Sequence, residues 1–332
     1  MARLGDWIEP RAEGIYIPAA DAWIDPSRPK PRALVTHGHA DHARGGHGCV
    51  WATPATLAIM DARYGPQQAV PVDHGAVLNL GDVAVRFVPA GHVLGSAQIV
   101  LDHRGERIVV SGDYKRRADP TCLPFEPVAC DVFVTEATFG LPVFVHPDTG
   151  DEIDRLLAAV HANPDRAVLL GAYALGKAQR IIAELRLRGH HAPIYLHGAM
   201  ERLCALYAAH GVALGDLRPV AGAARADMAG HIVLCPPAAL NDRWSRRLPD
   251  PLTAMASGWM RIRQRARQRN VELPLIISDH ADWDELCATI TEIAPREVWV
   301  THGREDALVH WCATRQIKAR ALDIRGYEDE DD

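Results

Sequence analysis

A chain of 332 residues is long for one domain, and two lobes are expected. With 48% hydrophobic and 23% charged residues it has the composition of a soluble globular protein, and no apolar stretch is long enough to span a bilayer. The net charge of −6 argues against indiscriminate polyanion binding while leaving room for a local basic groove.

The opening Met1-Ala2-Arg3-Leu4-Gly5-Asp6 does not read as a secretion signal. Cys49, Cys122, Cys130, Cys204, Cys235, Cys287 and Cys312 are odd in number and form no C-x-x-C pair, which points to reduced thiols of a cytoplasmic protein. In chain order, Gly14 to Pro18 and Ala22 to Pro26 read as short strands broken by proline, a hairpin at the edge of a sheet. Ala33-Leu34-Val35 is a buried strand, and Thr36-His37-Gly38-His39-Ala40-Asp41-His42 follows it. Neutral imidazole nitrogen is the preferred ligand of zinc and its neighbours, and a carboxylate can join or bridge. A loop could aim His37 and His39 at one ion, with Asp41 and His42 beside a second. Asp21 or Asp25 could orient a histidine from behind, with a turn-forming role the plain alternative for each.

A helix is expected from Pro54 to Arg63, and strands at Val83 to Val88 and Gln98 to Leu101. His92 lies in the glycine-flanked loop between those strands. The strand Arg107 to Ser111 leads to Asp113, whose two oxygens could bridge two ions, and Asp131 to Thr135 leads to Glu136. Successive strand ends that carry ligands or acid–base groups are the usual design of an α/β active site. From about Asp151 helices and strands alternate with few candidate ligands, which suggests a second lobe with its own small parallel sheet. Arg261 to Arg269 carries five alternating arginines, which spread around a helix as either a solvated surface or a phosphate contact. Leu273 to Ile277 is a strand ending near His280, and Glu297 to Val300 ends at Thr301-His302-Gly303. The closing segment thus returns to the pattern of the first lobe.

Taken together these residues resemble the metallo-β-lactamase superfamily and, within it, the β-CASP nucleases. The His37-to-His42 run is similar to the superfamily signature, His92 to its third motif and Asp113 to its bridging aspartate. Glu136, His280 and His302 stand where β-CASP enzymes keep three further motifs. Gly176-Lys177-Ala178-Gln179 and Ser257-Gly258 are also similar to β-CASP sequences. Trp23-Ile24-Asp25-Pro26 resembles the bacterial DNA-ligase-associated exonucleases, while a histidine at 302 is more typical of RNA-cleaving members.

The resemblance implies an α/β fold, a metallo-β-lactamase αββα sandwich with an inserted β-CASP α/β domain. Its expected parts are 1–150 and 272–325 for the metallo-β-lactamase domain, 151–271 for the insertion and 326–332 for an acidic tail. It implies two divalent ions, zinc or manganese. One is held by His37, His39, His92 and Asp113, the other by Asp41, His42, Asp113 and His302. Asp41 can also accept a proton from the nucleophile, and His280, held by Glu136, is the candidate general acid. Lys115, Lys177, Arg180 and Ser257 are candidates for contact with substrate. The implied function is a two-metal DNA exonuclease of repair, with nucleic acid as partner, a DNA ligase and a helicase as functional partners, and no membrane. Rival readings are an RNA-processing nuclease, a small-molecule hydrolase of the same fold and an inactive binding subunit. An inserted domain suits a polymer better than a small molecule, and every expected ligand position is filled, which opposes inactivity.

Overall fold

The computed structural model describes residues 4–269, 271–303 and 305–324; the expected acidic tail lies outside the described residues, as does the side chain of His302. The described residues of Met1–Val145 and His280–Glu330 form one compact unit, and those of His146–Asp279 a second.

The first unit is built on two sheets. One has the strand order Glu9–Arg11, Gly14–Ile17, Ala22–Ile24, Arg32–Leu34, Cys49–Ala52, Ala69–Pro71. The other runs Lys318–Ala321, Glu297–Gly303, Val132–Ala137, Glu106–Val110, Ala97–His103, Val83–Pro89, Val77–Leu80. Alternation along Val83–Pro89 sends Val83, Val85 and Phe87 into a core shared with Ile15, Ile17 and Leu34 of the first sheet. Val100, Val109, Phe133 and Val298 point the other way, onto Leu286, Ile290 and Leu308 of the helices Trp283–Ile293 and Glu305–Thr314. Ala33, Val35 and Val50 similarly pack on Leu57 and Met60 of the helix Pro54–Tyr64. Each sheet is thus covered on both faces, which explains strands such as Ala97–His103 that are buried almost throughout.

Strand direction sets where chemistry can gather. Glu106–Val110, Val132–Ala137 and Glu297–Gly303 are mutually parallel, so Asp113, Glu136 and the backbone of His302 leave one edge of the sheet. Val83–Pro89 reaches the same edge through two successive antiparallel pairings, bringing the His92 loop with it. In the other sheet Ala22–Ile24 and Arg32–Leu34 are parallel, so Asp25 and His37 follow neighbouring strand ends.

The second unit holds a six-stranded parallel sheet in the order Leu217–Pro219, Ile194–Leu196, Ile232–Cys235, Val168–Gly171, Leu252–Ala256, Leu273–Leu275. Leu273–Leu275 pairs with Leu252–Ala256, so this strand lies in the second unit and not in a closing segment that begins at 272. The expectation failed because a short apolar strand carries no mark of the sheet it joins. The arginine-rich run contributes only the six-residue helix Arg263–Gln268, with no buried residue. All seven cysteines are free thiols, and no helix of the described residues is long and apolar enough to cross a membrane.

Candidate metal centre

The first unit brings together His37, His39, Asp41, His42, His92, Asp113, Glu136 and His280. Their ligand atoms form three overlapping groups, each within 4.8 Å: His37, His39, His92 and Asp113; His37, Asp41 and His42; and Asp113, Glu136 and His280. One oxygen is common ground. Asp113 Oδ2 lies 3.3 Å from His37 Nε2, 3.4 Å from His42 Nε2, 3.7 Å from His92 Nε2 and 3.9 Å from His280 Nδ1. His39 Nδ1 and His92 Nε2 are 2.9 Å apart, aimed at the same point.

Local backbone geometry makes this convergence possible. Gly112 has φ of +56°, and a Cβ there would meet the Thr36 side chain at 2.7 Å, so only glycine lets the chain turn Asp113 toward the histidines. Gly38 sits against the helix beneath it, where a Cβ would come within 2.6 Å of Ile59 Cγ2. Ser96 Oγ accepts from the backbone N–H groups of His92 and Val93 at 3.1 and 3.2 Å, closing the His92 loop.

Asp25 settles which nitrogens face inward. It adopts a left-handed φ of 43°, and its buried carboxylate accepts from Thr36 N at 2.8 Å, Thr36 Oγ1 at 2.5 Å and His42 Nδ1 at 2.8 Å. With its proton given to Asp25, Thr36 Oγ1 is left to accept from His37 Nδ1, 3.0 Å away. One carboxylate therefore places the proton of both rings on Nδ1 and turns both Nε2 lone pairs toward Asp113. Asp21 instead accepts from Tyr16 Oη at 2.9 Å on the surface.

The donor set fits a divalent cation. His37 Nε2 is buried without a hydrogen-bond partner among the described residues. Burial, reinforced by the neighbouring His42, holds the His37 pKa well below the ordinary histidine value despite Asp113, which keeps the ring in its neutral ligand form. At His42 burial works against the proton, yet Asp113, Asp41 and Asp25 outweigh it and push the pKa up to about 10. The carboxylates thus call for positive charge at the centre of the cluster, which a proton supplies on one nitrogen and a metal ion supplies to all the donors at once.

Beside this cluster His280 Nδ1 donates to Glu136 Oε2 at 3.0 Å, and Glu136 Oε1 accepts from Tyr114 N at 2.8 Å. The His280 side chain is 18% exposed where Glu136 is fully buried.

The four candidate substrate contacts are placed differently. Lys115 is buried, with Nζ 2.7 Å from Glu285 Oε2 and 2.8 Å from the carbonyl oxygen of His280. In the second unit Lys177 Nζ lies 3.2 Å from Asp279, Arg180 donates to Ser278 O and Thr149 Oγ1, and Ser257 Oγ accepts from Trp259 N. All four are buried and engaged within the protein, so their placement lends no support to direct phosphate contact. A cation that neutralises an internal carboxylate is not available to a strand in solvent.

A network that sequence reasoning missed lies behind Lys115. Glu285 also accepts from the backbone N–H groups of Arg117 and Asp282, and Arg117 Nη2 bonds Asp282 Oδ2 at 2.6 Å. The spacing Asp282-Trp283-Asp284-Glu285 is that of a capping box, the one local signal available.

No family model matches the chain. A protein of Opitutus terrae named as a probable DNA ligase is 29% identical over 327 residues, 95% of this chain and 31% of that protein. A ribonuclease of Thermus thermophilus is 31% identical over 207 residues, 52% of this chain and 48% of that protein. The chain thus spans less than half the length of these curated relatives. A crystal structure of a protein of unknown function from Enterococcus faecalis has the same fold over 89% of this chain and 79% of its own, with a TM-score of 0.61 and 13% identity.

Proposed function

We propose that the chain belongs to the metallo-β-lactamase superfamily and, within it, to the β-CASP nuclease group, and that it hydrolyses phosphodiester bonds of nucleic acid with two divalent ions. The observation that carries this reading is the position of Asp113 Oδ2 among four imidazoles. One ion is assigned to His37, His39, His92 and Asp113, the second to Asp41, His42, Asp113 and His302, with zinc or manganese suited to nitrogen and carboxylate donors. The first unit is read as the metallo-β-lactamase αββα sandwich and the second as the inserted β-CASP domain.

A bound divalent ion supplies Lewis acidity, drawing the pKa of water from near 16 toward about 7 and offsetting charge on a phosphodiester. The protein supplies the rest. Asp25 and Thr36 fix the rings of His42 and His37, and Asp41 is placed to take a proton from the attacking water. Glu136 holds Nδ1 of His280, which leaves its Nε2 to protonate the departing oxygen.

DNA is the favoured substrate because the similarity to the ligase-named protein runs over nearly the whole chain, whereas that to the ribonuclease covers about half. On this reading the enzyme is a DNA exonuclease of repair, with a DNA ligase and a helicase as functional partners. The similarity to a ribonuclease supports RNA processing as the second reading. End-labelled DNA and RNA, single- and double-stranded, digested with zinc or manganese supplied, test both. Release of mononucleotides from DNA in preference to RNA is expected. The reverse preference selects the second reading, and no cleavage of any substrate by folded protein removes both.

A further inference from the structure

At the carboxyl ends of the strands Ile194–Leu196 and Leu217–Pro219, within the second unit, lies a cavity of about 520 Å³ that the chemistry above does not use. Open parallel sheets place ligands outside the carboxyl ends of their strands. The lining is unusual for a chain of net charge −6, because it includes Arg225, Arg247 and His197 and no carboxylate. Among the described residues neither guanidinium is paired: Arg225 and Arg247 are exposed, and their side chains make no ion pair or hydrogen bond. Trp244 adds an aromatic surface, with its ring centroid 4.8 Å from that of His197.

His197 also caps the twelve-residue helix Gly198–Ala209, its Nδ1 accepting from Ala199 N at 3.2 Å. That bond leaves the ring proton on Nε2, a further donor. Val220, Ala221, Gly222 and Ala223 line the cavity as well, and at Gly222, with φ of +86°, nothing lies within 4 Å of where a Cβ would be. Cationic donors, an aromatic ring and open backbone at a glycine are the parts that a nucleotide needs. Its phosphate accepts from guanidinium forks, and its base has a π-face that stacks on tryptophan whatever the sequence.

We propose that this cavity binds one nucleotide unit, its phosphate held by Arg225 and Arg247 and its base against Trp244. The proposal rests on the nuclease reading and extends it to a substrate-holding site outside the His–Asp cluster. Two sources carry the same chemistry, a nucleotide within a strand and a free mononucleotide.

The test uses the full chain with chelator present, so that binding is read without cutting. Fluorescence anisotropy of a labelled short oligothymidylate gives affinity across a salt series. The variant Arg225→Ala/Arg247→Ala should bind more weakly by roughly tenfold for each guanidinium lost. The slope of log affinity against log salt should fall by about 0.7, the value for one phosphate contact on a single strand. Trp244→Ala should cost about tenfold with little change of slope. Arg225→Lys/Arg247→Lys, which keeps the charge and loses the fork, should restore the slope and only part of the affinity.

Competition by thymidine 5′-monophosphate at concentrations near its own Kd for the cavity assigns it to a free nucleotide. Loss of oligonucleotide binding in the variant without such competition assigns it to a strand. Wild-type affinity and slope in Arg225→Ala/Arg247→Ala would overturn the proposal. Hydrolysis of bis(4-nitrophenyl) phosphate, too small to need this cavity, should be unchanged in the variants when metal is supplied. If the wild type cuts neither nucleic acid nor this diester, yet the double variant still loses oligonucleotide, the nuclease reading fails and the cavity assignment stands.

Discussion

Replacing Lys115 by methionine separates an internal strut from a phosphate contact. The lysine side chain is 2% exposed and its partner Glu285 9% exposed, so the pair is shielded from solvent and its loss is not softened by screening. Methionine keeps most of the stem and removes the charge. Glu285 would be left as a buried carboxylate with backbone donors from Arg117 at 2.8 Å, Asp282 at 3.0 Å and Arg116 at 3.2 Å. Removing one partner of a buried ion pair costs roughly 3–5 kcal/mol, and these donors place Lys115→Met near the lower end, about 3 kcal/mol. For a unit of this size that lowers the melting temperature by roughly 6–12 °C.

The pH dependence has a definite sign. Burial alone would raise the Glu285 pKa, but Lys115, the Asp282 N–H and Arg117 together more than offset it, and the carboxyl sits below its ordinary value. A depressed carboxylate contributes stability above its unfolded pKa of about 4.3 and loses it as pH falls through the folded value. The gap between wild type and Lys115→Met should therefore be wide at neutral pH and narrow in acid. Lys115→Met/Glu285→Gln, which leaves no uncompensated charge, should melt above the single variant. Thermal scans followed by circular dichroism at neutral and acid pH give both readings. A single variant that melts within a degree or two of wild type, with a weaker salt dependence of nucleic-acid binding, would refute the strut and restore Lys115 as a phosphate contact.

If Asp113 bridges two ions as proposed, Asp113→Ala should lose both ions and all hydrolysis; two retained metals by elemental analysis would remove the bridging assignment. Asp25→Ala should weaken metal affinity by about 10–100-fold, the usual cost of losing a partner that orients a ligand, as read by titration against a metal-sensitive dye. An affinity unchanged from wild type would mean that His42 needs no orienting group. His280→Ala should keep both ions while the rate on nucleic acid falls by roughly a hundredfold or more. The loss should be much smaller on a 4-nitrophenyl diester, whose leaving group departs without a proton, and an equal loss on both substrates would make His280 a positioning residue.

Much of the centre was legible because its residues share local context. His37, His39, Asp41 and His42 fall within one loop, His92 and Asp113 each follow an apolar run that ends in glycine, and Glu136 lies near the end of the apolar strand Val132–Ala137. Strand periodicity located those runs, and the parallel pairing of Glu106–Val110, Val132–Ala137 and Glu297–Gly303 then carried their ends to one edge. The surroundings of Lys115, Lys177 and Arg180 were not legible, for the opposite reason. A basic residue near a motif looks the same in sequence whether it faces solvent or a buried carboxylate, and Glu285 lies 170 positions from Lys115. The strand Leu273–Leu275 was misplaced because a short apolar strand does not announce its neighbours. Arg225, Arg247 and Trp244 gave no signal, for only the fold of the third sheet gathers them around one cavity.

The same chemical pair, a carboxylate behind an imidazole, occurs twice here with different consequences. Asp25 holds Nδ1 of His42 at 2.8 Å and Glu136 holds Nδ1 of His280 at 3.0 Å, so both rings offer Nε2 forward. What differs is where that nitrogen points. The Nε2 of His42 faces Asp41 and Asp113 at 3.4 Å each, in a side chain 1% exposed. A lone pair fixed in that position among carboxylates can serve only a cation. On His280 it is the Glu136-bound Nδ1 that lies toward Asp113, at 3.9 Å, and the ring keeps 18% of its surface open. On the proposed reading its Nε2 serves a group that comes and goes. A proton donor must exchange with water between turnovers, and a ligand must not. On the proposed reading, exposure and ring direction, more than residue type, make His42 the holder and His280 the donor.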